Sequence, residues 1–323
     1  MTGIAAVVPD ESFEAAGETA LEAVTTEQPT DFRRLGRGNR KLSALATYEQ
    51  RDPVVVQLCE ELTWLQTEAT LLGHIRERTA VPVPPVLASG ITDGVAYMVT
   101  AHVSGDDLHV EFAGFDSEGK RRLARTFGAH LGSLHEQFRF EEYGALVVDG
   151  DSLRAWHEDW GDWLVEYGTS AVERLPGPFD PLREDLLALF ETATTAQAPP
   201  ARLYPWDFRP GNALVEDGQV AAILDWEAPM AAAPALAVAK AEYLVADWYV
   251  EDGRPLRRAF REGYEQVRKY PTVDAVHRAA AIADSAVDST GTVTNPKYPE
   301  LDAEAAVEFH REALTAVLGQ SYS

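Results

Sequence analysis

Three oxygen-bearing side chains, Asp207, Asn212 and Asp225, stand at a spacing that can bring them to one point. An apolar run, 202–206, leads into a polar loop, 207–212, with a Pro210-Gly211 turn signal. Ala213 to Glu216 and Gln219 to Leu224 then flank Asp217-Gly218. Asp-Gly between two apolar runs is a strong hairpin signal, because both turn residues must accept positive φ. Folding there sets Glu216 opposite Gln219, Val215 opposite Val220, and Asn212 opposite Ile223. Asp225 lies two residues beyond, so Asn212 and Asp225 share the open mouth of the hairpin, with Asp207 overhanging it. Side chains offset by two positions lie roughly 8 Å apart across a ladder, close enough for one metal ion to bridge. Oxygen donors of this kind suit Mg²⁺, which keeps several waters and completes its shell with a substrate phosphate.

This arrangement resembles the catalytic core of the small-molecule branch of the protein-kinase-like superfamily: the aminoglycoside phosphotransferase, choline kinase and fructosamine kinase group. There the loop reads His-x-Asp-x-x-x-x-Asn, and a later Asp opens a short Asp-Phe/Trp-Gly/Glu motif. Asp207, Asn212 and Asp225-Trp226-Glu227 fall on those places. The resemblance implies that Asp207 accepts or orients the proton of a substrate hydroxyl, and that Asn212 and Asp225 hold Mg²⁺, with Glu227 as a further ligand. It also implies ATP as phosphoryl donor. Pro205 fills the place of the loop histidine, whose main task is to prop the loop, so this departure bears on loop geometry more than on chemistry.

The elements that must position these groups lie upstream. Phe32 to Leu35 reads as a strand, followed by a glycine loop with Gly36 and Gly38 and a polar tip, Asn39 to Lys41. The loop matches neither the dinucleotide fingerprint nor a Walker A sequence. By resemblance it covers the nucleotide phosphates. In Val54 to Cys59, Gln57 is the polar residue in an apolar run. The related enzymes carry a lysine at that strand position, reaching the phosphates and pairing with a helix glutamate. Gln57 can donate a hydrogen bond but brings no charge. Either another cation (Lys41, Arg40 or the metal) takes over, or the protein is a kinase-like pseudoenzyme that binds nucleotide or a partner without efficient transfer. Glu68 lies on the apolar face of a helix over 61–78 and needs a partner there, because a buried lone carboxylate is costly. The resemblance pairs it with Gln57. It also makes Ala101 and Val103 a hinge whose backbone bonds the adenine edge.

About five strands and one helix up to residue 102, then mostly helix, describe an α+β protein with the bilobal kinase-like fold. The expected division is 1–102, with 1–30 an acidic extension, and 103–323, holding the catalytic loop 205–212 and the motif 225–227. Within a predicted helix over 152–167, Trp156, Trp160 and Trp163 make a stripe read as core rather than as a cation-binding wall. Asp159 and Asp162 beside it are the candidates for contacting a cationic substrate.

The formal net charge of −24, with few lysines and normal apolar content, fits a protein hydrated by carboxylates in a salt-rich cytoplasm, where self-repulsion is screened. No basic stripe marks a nucleic-acid partner. No long apolar run marks a membrane span, no signal peptide is seen, and the lone Cys59 fits a reducing, cytoplasmic compartment. The expected partner is a small hydroxylated substrate; composition leaves its identity and the oligomeric state open.

Overall fold

Alternating small and β-branched residues in the first hundred positions build one antiparallel sheet, and the polar loop of interest hangs from a separate helical assembly. The computed structural model describes residues 3–36, 40–192, 198–288 and 290–321. The chain divides into two units. The first comprises 1–105, 146–154 and 221–228; the second comprises 106–145, 155–220 and 229–323. The segment 221–228 carries the Asp225-Trp226-Glu227 motif, so that motif groups with the first unit, whereas the sequence reading put it with the C-terminal part.

In the first unit, helix α1 (Glu11–Glu22) starts at Asp10, whose carboxylate accepts from the Ser12 and Phe13 amides. Strands β1 (Asp31–Leu35), β2 (Leu42–Thr47), β3 (Val54–Cys59), β4 (Val86–Thr92) and β5 (Val95–Ala101) form a sheet in the order β1-β2-β3-β5-β4. All its pairs are antiparallel. Ala44, Ala46, Val54, Val56, Leu58, Val95 and Val99 turn to one face and pack on Phe13, Ala16, Ala20 and Leu21 of α1. Period-two alternation sends Ser43 and its register partner Gln57 to the other face. Lys41, two residues before Ser43, belongs to that face too. Helix α2 (Leu62–Arg78) buries Leu65, Glu68, Ala69, Leu72 and Ile75. The expected strand over 81–90 begins only at Val86, since Pro82, Pro84 and Pro85 cannot donate to a ladder.

In the second unit, the strand Ala201–Tyr204 pairs with Met230–Ala232 and with Arg139–Phe140. Seven further helices with α-type bonding are α3 (Leu108–Glu111), α4 (Ser117–Gln137), α5 (Trp160–Arg174), α6 (Asp180–Glu191), α7 (Pro234–Glu242), α8 (Arg254–Glu265) and α9 (Ala275–Ser285). An eighth, α10 (Ala303–Ser321), ends the described chain. Among the described residues no helix is long and apolar enough to cross a membrane. The helix expected from 152 starts at Trp160 instead. Ser152–Arg154 pairs with Val147–Asp149, and Asp159 caps the helix by accepting from the Asp162 amide at 2.9 Å. Trp156 therefore lies outside the helix, 61 % exposed, while Trp160 and Trp163 are buried as core.

The seam between α4 and α8 is drawn tight by glycines. A Cβ on Gly128 would stand 1.9 Å from the Phe260 carbonyl oxygen, and one on Gly263 would stand 1.9 Å from that of Arg125. Across the same seam the fully buried His135 meets the Tyr264 hydroxyl at 2.7 Å. Burial, then the charges of Arg268 and Arg202, hold the His135 imidazole down to about 3.

Gly128→Ala is expected to cost about 3 kcal/mol in urea unfolding, because backbone oxygens cannot yield the space. His135 titrates below its unfolded value of about 6.5, so its contribution is whole above that pH. It is lost as pH falls toward 3, at about 1.4 kcal/mol per pH unit. Unfolding curves between pH 6.5 and 4.5 should show that loss, and His135→Gln should flatten it.

Candidate functional site

Two clusters of candidate side chains form, one in each unit. In the first unit the organising contact is a buried ion pair. Lys41 Nζ donates to both oxygens of Glu68, at 2.9 and 2.7 Å, with both side chains almost wholly inaccessible. The same Nζ stands 3.1 Å from Asp225 Oδ1. Glu68 also accepts from the Trp226 backbone amide, tying α2 to the Asp225-Trp226-Glu227 motif. Burial alone would depress the Lys41 pKa; Glu68, then Asp225, outweigh it, so the pKa is raised and the ammonium stays charged.

The partner expected for Glu68 was Gln57, and the structure corrects this. Gln57 reaches only Ser43, its Nε2 lying 3.4 Å from Oγ. Glu68 pairs with Lys41, one strand over on the same sheet face. A four-carbon side chain from the start of β2 spans what a glutamine in mid-β3 does not. Lys41 also lies near the Trp64 ring, its Nζ 5.5 Å from the centroid.

Asp225 has φ of 60° and is 41 % exposed at its side chain, a left-handed backbone that turns the carboxylate outward. Trp226 anchors the motif by donating from Nε1 to the Ile223 carbonyl at 2.8 Å. Glu227 has its pKa pushed up to about 7 by burial and then by Asp225 beside it, with Lys41 acting against the rise. Glu68, Asp225 and Glu227 together outnumber the cations Lys41 and Arg40 around them.

In the second unit, Asp207 is held from both sides. Its Oδ1 pairs with Arg209 Nε at 2.8 Å, and its Oδ2 accepts from Asn212 Nδ2, also at 2.8 Å. Asn212 Nδ2 donates to the Asp207 carbonyl as well, at 3.0 Å, which makes Oδ1 the atom that could ligate a cation. The loop is pinned by packing. Phe208 lies edge-on to Phe127 of α4, with centroids 5.3 Å apart, and the Arg209 guanidinium lies 5.1 Å from the Trp248 ring centre. The turn residues Asp217 and Gly218 have φ of 51° and 73°, the signs an Asp-Gly hairpin requires. Arg209 was not singled out in the sequence, although a cation two residues from a candidate catalytic carboxylate is a readable signal.

Ala101 ends β5 with its N–H given to Pro85, so its carbonyl and the Val103 N–H are the groups that could meet an adenine edge. Gly36 follows β1 directly, whereas Gly38 lies outside the described residues. Asp159 and Asp162 form the start of α5, as cap and first-turn acid. No group of three or more His, Cys, Asp or Glu that could hold a metal occurs among the described residues. Mg²⁺ needs no such cage, since one or two carboxylates, waters and phosphate oxygens complete its shell. Within the first unit, Asp225 and Glu227 supply carboxylates of the kind that requirement names.

Residues 31–276 match the phosphotransferase enzyme family APH, and the chain belongs to this family. Its fold is that of solved kinase-like phosphotransferases. A putative aminoglycoside phosphotransferase from Ralstonia eutropha is similar with a TM-score of 0.66 at 16% identity, over 96% of this chain and 98% of that one. A thermostable aminoglycoside phosphotransferase APH(4)-Ia variant, in ternary complex with AMP-PNP and hygromycin B, gives 0.63 at 12%, over 95% and 99%. A putative fructosamine-3-kinase from Haemophilus somnus gives 0.60 at 12%, over 95% and 98%. No curated protein matches the chain in sequence.

Lys41→Met should lower unfolding free energy by about 3 to 5 kcal/mol, since it strands Glu68 as a buried lone charge. Gln57→Ala should cost about 1 kcal/mol or less, having one long contact to lose. Chemical denaturation of the two variants checks the assignment.

Proposed function

We propose that this chain is an ATP- and Mg²⁺-dependent phosphotransferase that moves the γ-phosphate to a hydroxyl group of a small molecule. The observation that carries the reading is the Lys41–Glu68 pair with Asp225 beside Lys41. It supplies a fixed, permanently charged group for the nucleotide phosphates, which Gln57 lacks. The alternative, a pseudoenzyme that binds without transfer, drew its main support from Gln57, and Lys41 weighs against it.

In this reading Lys41 contacts the α- and β-phosphates, with Gly36 beside them; Gly38 lies outside the described residues. The Ala101 carbonyl and the Val103 amide take the adenine edge. Asn212, Asp225 and Glu227 would hold Mg²⁺, which would neutralise charge on the phosphates. Asp207 takes or steers the proton of the acceptor hydroxyl, and its hydrogen bond from Asn212 fixes the carboxylate. Arg209, paired with Asp207, keeps a positive charge beside the reacting groups. Related structures holding AMP-PNP, ADP or GDP support a nucleotide donor. Those holding hygromycin B and kanamycin support a hydroxylated small acceptor. Net charge of −24 suits a cytoplasm of high ionic strength, so molar KCl is the medium for assay.

Asp207→Ala is expected to lower ATP turnover by about a thousandfold against a panel of small alcohols and amino sugars. Calorimetric binding of Mg²⁺–ATP should persist in that variant. Turnover equal to the unaltered protein's would remove Asp207 from the chemistry.

A further inference from the structure

The residue before the candidate catalytic aspartate is strained and tethered. Trp206 has φ of 50°, and the Asp207 amide donates back to the Pro205 carbonyl at 2.7 Å, closing a three-residue turn around it. A bulky residue holds that backbone only where its surroundings compel it. The compulsion is visible. Trp206 Nε1 donates to Asp284 Oδ2 at 2.8 Å, and the Lys240 ammonium lies 4.5 Å from the centre of the indole ring. Lys240 and Asp284 form an ion pair on facing helices, α7 and α9, each nearly inaccessible. Arg174, at the end of α5, engages the other oxygen of Asp284 at 2.6 Å. One carboxylate thus gathers three helices and the indole of the loop.

This cluster stands where another anchor is missing. The position that would carry the loop-propping histidine is Pro205, which has neither an N–H nor a polar side chain. We infer that Asp284 and Lys240 are positioning residues for phosphoryl transfer, acting through Trp206 to set the backbone from which Asp207 projects. The inference rests on the reading of Asp207 given above. Its mechanism is distinct from fold stability: the indole N–H fixes one torsion of the loop, and a small misplacement of a reacting group costs rate rather than nucleotide affinity.

Trp206→Phe keeps an aromatic ring for Lys240 and deletes the N–H. We expect kcat to fall by about tenfold or more, with KM for ATP moved by no more than about twofold. Amide hydrogen exchange should speed up in the peptide 203–213 and not elsewhere. Thr192→Ala, which cuts an exposed hydroxyl contact of 2.8 Å to the Ala188 carbonyl at the end of α6, should match the unaltered protein in both measurements. Unchanged kcat and unchanged exchange in Trp206→Phe would overturn the proposal, as would faster exchange spread over the whole unit. If Trp206→Phe does not accumulate folded, Lys240→Met takes its place, since Asp284 retains Arg174 as a counter-charge. Its loss should be smaller but confined to kcat and to peptide 203–213, and unchanged kcat would overturn the proposal. If the unaltered protein turns over no ATP with any acceptor, the phosphotransferase reading fails by itself. The exchange measurement then decides the tether, with unaltered protection in Trp206→Phe ruling it out.

Discussion

A buried ammonium must have a carboxylate, and a buried carboxylate must have a cation; in the first unit these demands are met by one pair. Lys41 and Glu68 are both sealed from solvent, so neither can lose the other without leaving a bare charge in a poorly polarisable interior. The pair fixes α2 against the start of β2. Through the Trp226 amide it fixes the Asp225 motif to the same helix. Sheet, helix and motif are therefore coupled through one lysine side chain and one carboxylate. Asp225, on the more exposed side of Lys41, is left facing outward with its charge partly balanced.

The same economy governs the second unit. A left-handed tryptophan, a proline without a donor and a carboxylate in an ion pair are each unfavourable in isolation. They coexist because Asp284 offers two oxygens to Lys240, Arg174 and the Trp206 indole together. Its pKa is lowered: burial works against the charge, but Lys240 and its other partners outweigh burial. Around Asp207, Arg209 and Asn212 use both carboxylate oxygens, while Phe208 sinks against α4. The left-handed backbone at Trp206 is thereby held by helices distant from it in sequence. The departures at 57 and 205 each have a tethering group nearby, a lysine from the preceding strand in one case and a carboxylate from a distant helix in the other.

Much of this was legible from residue order. Short apolar runs marked β2, β3 and β5, and spacing from Asp207 through Asn212 to Asp225 marked the family, because turn chemistry and apolar runs are local properties of the chain. The Asp217-Gly218 turn followed from the positive φ that few residue pairs accept. Helix starts were less secure: the tryptophan stripe suggested a helix from 152, but Asp159 could set the true start only once 152–154 was taken by a strand partner. Glu68 was rightly expected to need a partner, and the choice between Gln57 and Lys41 was beyond the pattern. Both lie on one sheet face, and only the seating of α2 on the sheet determines which side chain reaches. Tertiary structure alone decided that Asp284 meets Trp206 across 78 positions of sequence, since that contact depends on where α7 and α9 dock. Local sequence specifies which groups need neighbours, and packing of distant elements selects the neighbours they get.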